Sequence, residues 1–347
     1  MYPFKQGQFA PRNGWYVAAF CNEIGDALLS RWILNQPLVL YRKTDGTAVA
    51  VQGRCPHRHF PLGASKRVGD AIQCGYHGMT FGADGKCIHI PSQTKVPGVY
   101  SIQTYPLVER GLWAWIWPGD PQLADESLLP TLDEIGLDTS PDFYARPFYS
   151  LSVRGRYQLL NDNLLDLSHL GYLHGSTIGT QDDAATPEVR DQSARRLRSR
   201  RHMINTQITP SVRERTGFDG PVDRLSGMDF WFPGFHAGIA ETSIAQGQPR
   251  AGEMLVAGRV WHAVTPATRT TTNYFFASGS NDRNGVDSMV EYLRPVVDED
   301  VFATEEIEKI ITTVDDLPQE LLLKSDTTAA MGRKIMATLM AAEGQGA

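Results

Sequence analysis

CPHRHFPLGASKRVGDAIQCGYHG, residues 55–78, decides how this chain reads. It holds Cys55-x-His57, then sixteen residues, then Cys74-x-x-His77. Two thiolates and two imidazoles in two short pairs form a metal-binding donor set. Such a set suits Zn²⁺, or an iron–sulfur centre in which two Cys hold one iron and two His hold the other.

The spacing discriminates between them. Zinc fingers pair Cys with Cys and His with His. Here each short pair mixes the two, so each loop offers one ligand to each iron, the arrangement of a Rieske [2Fe–2S] cluster. Pro56 stiffens the first loop, and Gly75 and Gly78 loosen the second. Backbone N–H groups in such turns can point at sulfide and thiolate and tune the potential. Cys87-x-His89 lies just beyond, behind the turn signal Ala83-Asp84-Gly85. It has no second pair and reads as strand. His59 reads as a residue that lines the loop or hydrogen-bonds nearby.

Working outward, 347 residues suggest two domains, each large enough for its own core. A net charge of −6 gives no sign of a nucleic-acid partner. Beyond the motif only Cys21 and Cys87 remain of four cysteines, too few for a disulfide scaffold and consistent with a reducing compartment. The N-terminus shows no apolar stretch with a small-residue cleavage site, and no apolar run approaches 18 residues. The expectation is a cytoplasmic chain with no membrane partner.

Residues 14–54 carry short strand-like runs: Trp15–Phe20, Trp32–Leu34, Pro37–Tyr41 and Ala48–Gln52. Beyond the cluster loops come Met79–Phe81, Lys86–Ile90, Gln103–Val108 and Leu112–Trp117. This predicts a small antiparallel β domain. Trp113, Trp115 and Trp117 alternate and so share a face, as core. A connector leads to a second domain, placing the division at 1–141 and 142–347. Phe148–Tyr157 reads as strand, Tyr157–Leu173 as helix and Thr177–Thr186 as a mobile loop. Val189–Ile208 carries Arg190, Arg195, Arg196, Arg198, Arg200 and Arg201. It reads as a strand with a solvated basic edge, or more sharply as a contact for an acidic electron donor or a neighbouring subunit. Ser226–Ile239, Met254–Val264 and Thr270–Ser278 alternate as strands; Gly285–Arg294, Val297–Val314 and Thr327–Ala342 read as helices. Strands followed by long helices make the fold class α+β.

NDNLLDLSHLGYLH, residues 161–174, suggests a second metal site. Asp166 and His169 are three apart and share a helix face. His174 is about 140° further round, so both imidazoles reach one ion only if the helix loosens, most cheaply at Gly171. Two His and one carboxylate leave positions open on Fe(II) for substrate and O2. H-x₄-H alone is a weak signal; the upstream cluster strengthens it, because electrons need an acceptor. The carboxylate must come from elsewhere, and Asp298, Glu299 and Asp300 stand at a helix start. Spacing does not choose among them.

Together, CPHRHFPL…CGYHGMTF, NDNLLDLSHLGYLH and DEDVFATEEIE resemble the catalytic component of Rieske non-heme iron oxygenases. NGWYVAAF, PLVLYR, YPLVERGLWAWIWPGDP and TPATRTTTNYFFASGSN add to the likeness. Within the family the chain is most similar to the vanillate and dicamba O-demethylase and toluenesulfonate methyl-monooxygenase group. The resemblance runs nearly end to end and weakens at 180–250. It implies an N-terminal all-β Rieske domain and a C-terminal helix-grip catalytic domain, an antiparallel sheet with long helices. It implies that Cys55 and Cys74 hold one iron, and His57 and His77 the other. His169, His174 and Asp300 would hold the mononuclear iron, with Asn163 beside it. Asp166 would link that iron site to the cluster of a neighbouring subunit in a homotrimer. His262 matches a substrate-contacting position, while His236 and Trp261 are pocket residues by location only.

The implied reaction is O2-dependent hydroxylation or O-demethylation of a methoxy- or methyl-substituted aromatic acid. The chain has no nucleotide motif such as GxGxxG, so a separate NAD(P)H-dependent flavin/iron–sulfur reductase must supply electrons. Ring dihydroxylation, or hydroxylation of a non-aromatic compound, is the alternative within the family.

Overall fold

The protein is described by a computed structural model over residues 9–344. The N-terminal expectation for residues 1–8 lies outside the described residues. Two compact units emerge: residues 12–129 with 265–269, and residues 9–11, 130–264 and 270–344.

The first unit is built of short strands, as the dense turn residues dictate. A four-stranded sheet runs β2 (Leu29–Ile33), β3 (Gln36–Arg42), β4 (Ala48–Gln52) and β9 (Thr104–Tyr105). A three-stranded sheet sets β11 (Trp113–Ile116) between β1 (Tyr16–Phe20) and β10 (Leu107–Arg110). A third sheet joins β5 (Lys66–Val68), β6 (Ala71–Gln73), β7 (Thr80–Phe81) and β8 (Cys87–His89). The Gln103–Val108 run divides at Pro106, which has no N–H to give a ladder, so β9 and β10 enter different sheets. Trp113, Trp115 and Trp117 are all buried core, as expected from their alternation. Truncating any one to Ala would cost about 3–5 kcal/mol.

The second unit is a seven-stranded sheet in the order β12 (Tyr144–Val153), β18 (Thr271–Ser280), β17 (Met254–Thr268), β16 (Phe235–Ile244), β15 (Val222–Trp231), β14 (Arg196–Thr206) and β13 (Val189–Gln192). Side chains alternate across it. Phe230, His236, His262 and Tyr274 share one face: His236 pairs in register with both Phe230 and His262, and His262 stacks on Tyr274. Helices α1 (Tyr157–Leu165), α5 (Arg283–Tyr292), α6 (Arg294–Thr313) and α7 (Thr327–Glu343) pack against the sheet and one another. Three short helices, α2 (Leu170–Leu173), α3 (Asp182–Ala185) and α4 (Pro210–Thr216), complete the unit. The α+β expectation of a β domain followed by a sheet with long helices is met.

Four local expectations need correction. Ser226–Ile239 is not one strand but the turn of the β15–β16 hairpin, broken at Phe232–Gly234. The 161–174 helix breaks at Asp166, which is extended (φ −120°, ψ 91°), and not at Gly171. Gly171 serves close approach instead, since a Cβ there would collide with the Thr180 carbonyl. Thr177–Thr186 is anchored rather than open: it contains α3, and buried Asp183 pairs with buried Arg224 at 3.1 Å. Finally, the arginine run is not a free basic edge. Arg190 meets Glu188, Arg195 meets Glu134, Arg196 meets Asp191, and Arg198 and Arg200 both meet Asp229.

Candidate metal centres and active site

The two cluster loops share one hydrogen-bond frame. Cys55 N donates to Phe60 O (2.9 Å) and Cys55 O accepts from His59 N (2.9 Å). Cys74 N donates to Met79 O (2.8 Å) and Cys74 O accepts from Gly78 N (3.0 Å). Each loop closes through a left-handed residue four places after its Cys: His59 (φ 58°) and Gly78 (φ 74°). This explains the decoy. His59 occupies the turn position that glycine fills in the other loop, and its Nδ1 lies 3.2 Å from Arg54 Nη1. A Cβ on Gly78 would sit 2.8 Å from Pro91 Cγ.

The frame sorts the donors by side. Cys55 and Cys74 are 2% exposed and belong to one core with Val39, Leu62, Ile72 and Phe81. His57 and His77 are exposed, with ring centroids 4.6 Å apart. The four do not converge as one ion would require. Among the described residues, the only set of three or more His, Cys, Asp or Glu donors grouped for a single ion is His169, His174 and Asp300. Thiols inward and imidazoles outward fit a two-iron cluster and not a single zinc. Cys87 and His89 are strand residues of β8, as read.

That triad forms the second site, its donor atoms all within 4.8 Å of one another. Asp300 Oδ1 lies 3.0 Å from His174 Nε2 and 3.7 Å from His169 Nε2. Each imidazole is held from behind. His169 Nδ1 is 2.7 Å from the carbonyl of Asp166, an oxygen aimed there by the helix break. His174 Nδ1 is 2.6 Å from Glu299 Oε2. Ring nitrogens fixed in this way leave both Nε2 atoms facing Asp300 Oδ1, the usual support of a metal-binding imidazole. Asp300 is buried, yet His174, His169 and the Asn163 amide (2.9 Å) hold its carboxyl below the ordinary range. The three acids left open by spacing therefore separate. Asp298 pairs with Arg294 on its own helix, Glu299 backs His174, and Asp300 joins the imidazoles.

Asp166 caps Ser168 N through its side chain (3.0 Å) and lies 3.9 Å from Arg201. His262 Nδ1 is 2.6 Å from the Tyr274 hydroxyl, and His236 Nε2 is 2.8 Å from Asn161 Oδ1. Burial pushes the His262 imidazole down to about 4 and that of His236 well below its usual value. Trp261 points to the opposite face of β17, where its indole N–H donates to Ile135 O; it is packing, and the structure does not bring it to the two histidines. Sequence reasoning missed Tyr274 and Asn161; period-2 alternation in TTNYFFASGS was the available signal for the first.

A cavity of about 320 Å³ opens on the same sheet face. Ala240 and Thr242 continue the line of His236 along β16, and Ile178, whose N–H bonds the His174 carbonyl, closes one wall. Val256 and Met289 add apolar surface, and Arg215 stands at the rim with Nη1 3.5 Å from Met289 Sδ. Arg224 also lines the cavity, but Asp183 and Thr180 already engage its guanidinium.

Comparison with known proteins places this geometry. The Rieske [2Fe-2S] domain matches residues 14–106, and the vanillate O-demethylase oxygenase C-terminal domain matches residues 153–342. The chain is 34% identical to the iron–sulfur subunit of a toluene-4-sulfonate monooxygenase system from Comamonas testosteroni, over 96% of this chain and 98% of that protein. It is 35% identical to the oxygenase component of dicamba O-demethylase from Stenotrophomonas maltophilia, over 78% of each. A crystal structure of dicamba monooxygenase bound to 3,6-dichlorosalicylic acid superposes with a TM-score of 0.86 at 29% identity, covering 96% of this chain and 98% of that one. The chain belongs to the Rieske non-heme iron oxygenases, in the group defined by the vanillate O-demethylase oxygenase C-terminal domain. It is thus an oxidoreductase that uses O2. Among the described residues no helix is long and apolar enough to cross a membrane.

Proposed function

We propose that this chain is the oxygenase component that hydroxylates the methoxy or methyl group of an aromatic acid, with a Rieske domain over residues 1–141 and a catalytic domain over 142–347. Cys55, Cys74, His57 and His77 hold the cluster, and His169, His174 and Asp300 hold the mononuclear iron. When bound, the cluster supplies electrons and the iron supplies O2 activation. The supporting observation is the His169–His174–Asp300 triad, whose donor atoms all lie within 4.8 Å of one another.

The chain's own residues do the rest. Glu299 and the Asp166 carbonyl orient the imidazoles. Ala240, Val256 and Met289 exclude water and take an aromatic ring. Arg215, with no carboxylate partner among the described residues, stands at the rim and meets the acid group, since Arg224 is already neutralised. His262, kept neutral by burial and oriented by Tyr274, offers Nε2 to a substrate oxygen. Inserting one oxygen atom into a methoxy C–H consumes O2, two electrons and two protons and releases water. The resulting hemiacetal then collapses to a phenol and formaldehyde. Relatives are named as the iron–sulfur subunit of a monooxygenase system and as an oxygenase component; a separate NAD(P)H-dependent flavin/iron–sulfur reductase serves this chain. Asp166 bridges to the cluster of the next subunit in a homotrimer, so the Cys55–His77 loops of one chain serve the iron of its neighbour.

A screen with a surrogate reductase tests this reading. Methoxy- and methyl-substituted aromatic acids should give formaldehyde or benzylic alcohols. Dihydrodiols, or turnover of non-aromatic compounds alone, would overturn it.

A further inference from the structure

Of the six arginines in the 190–201 run, five meet a carboxylate within 3.4 Å, whereas the nearest to Arg201, Glu188, stands at 3.5 Å and makes no hydrogen bond with it. Arg201 is 3% exposed, on the face of β14 that also buries Leu197, Ser199 and Met203. Its Nε and Nη1 have no hydrogen-bond partner among the described residues. Glu188 stands 3.5 Å from Nη1, but Glu188 Oε2 is taken by Arg190 (2.8 Å) and Thr328 (2.6 Å), and Oε1 is left unbonded. The other carboxylate near Arg201 is Asp166, 3.9 Å from Nη2. A buried guanidinium with idle donors is expensive, and a well-packed apolar residue in its place would often be as stable. Its presence there calls for a role, and its geometry supplies one.

We infer that Arg201 is a positioning residue for Asp166. The four charges alternate in space as Arg190, Glu188, Arg201, Asp166. The line runs from the start of α7 through β13 and β14 to the break between α1 and α2. Arg201 holds the Asp166 side chain in place at that break, with Oδ1 on Ser168 N and the second oxygen left for an outside partner. It acts on the side chain alone. The Asp166 carbonyl that orients His169 is fixed by the backbone, so the iron ligands keep their place without Arg201. This inference rests on the reading that Asp166 bridges to a neighbouring cluster.

The test compares Arg201→Met, Arg201→Lys, Asp166→Asn and the Arg201→Met/Asp166→Asn double variant as holoproteins. For Arg201→Met, kcat should fall at least tenfold while KM, iron content and cluster absorbance stay within twofold of wild type. Arg201→Lys should recover at least a third of kcat. The double variant should be no slower than Asp166→Asn. Independently of turnover, the drop in urea midpoint caused by Arg201→Met should at least halve in the Asp166→Asn background, because the two groups meet. Unchanged kcat, loss of iron, multiplying effects in the double variant, or an undiminished midpoint drop would each overturn the inference. Should the Met variant not fold, Arg201→Gln is read the same way; if neither folds, Arg201 is structural and the inference fails. Asp166→Asn with normal turnover would sink the bridging reading itself. Collapse in Asp166→Asn with no effect at Arg201 would sink only this one.

Discussion

Glu299 Oε2 lies 2.6 Å from His174 Nδ1, while Asp300 Oδ1 lies 3.0 Å from Nε2 of the same ring. Two neighbouring acids on α6 thus grip opposite edges of one imidazole. Glu299 sets its tautomer and orientation, and Asp300 stands where it would share an ion with it.

This arrangement ranks three adjacent carboxylates. Asp300→Asn should abolish iron binding. Glu299→Gln should keep the iron but weaken its affinity about 10–100-fold, the usual cost of losing such a backing partner. Asp298→Asn should leave iron affinity unchanged, because Asp298 pairs with Arg294 on the helix surface. Chelator titration of the three variants gives the order directly.

The cluster loops make a second expectation. His59→Gly should leave the cluster spectrum intact and stabilise the chain slightly, by up to about 1 kcal/mol, because the position is left-handed. Gly78→Ala should cost about 1–2 kcal/mol, from the same backbone demand and from Pro91. Thermal unfolding of the two variants, followed by cluster absorbance, separates turn residue from ligand.

Much of this was legible before the fold. The Cys55–His77 spacing carried the cluster type because mixed Cys–His pairs are a local pattern, and the two loops are local turns. The β5–β6 hairpin between them was not legible: its three-residue strands are too short for any periodicity. His169 and His174 could be read, but the ideal-helix argument put the break at Gly171. Glycine there answered a tertiary demand, the approach of Thr180, while Asp166 paid for the extended conformation by capping Ser168. The choice of Asp300 depended on how α6 turns toward α1, a long-range fact that spacing does not encode. Trp261 shows the same limit in reverse: it neighbours His262 in sequence and therefore faces away from it.

The buried histidines set a pH dependence. His262 is pushed down to about 4 by burial, against the smaller pull of Asp300, and His236 further. The unfolded chain takes up these protons near pH 6.5, and the folded chain does so only near 4 or below. Their contribution to stability is therefore complete above about pH 6.5 and is lost as pH falls toward 4. For His262 alone it amounts to about 3 kcal/mol. Unfolding midpoints measured from pH 7.5 to 4.5 should fall, and His262→Gln should make that fall shallower.

Arg215 bears on specificity. An exposed guanidinium at the cavity rim contributes about 1 kcal/mol to an anionic group. Arg215→Gln should raise KM for an aromatic acid about fivefold and leave KM for the corresponding neutral ester unchanged. Paired steady-state measurements on acid and ester check this. Equal effects on both would remove Arg215 from acid recognition.

Iron counting on His169→Ala tests the division of labour between the two metal sites most directly. Wild type should carry about three irons per chain, two in the cluster and one in the triad. The variant should carry about two, with the visible cluster spectrum unchanged and turnover abolished. Loss of the cluster spectrum, or an undiminished iron count, would contradict the assignment of His169, His174 and Asp300 to a separate mononuclear centre.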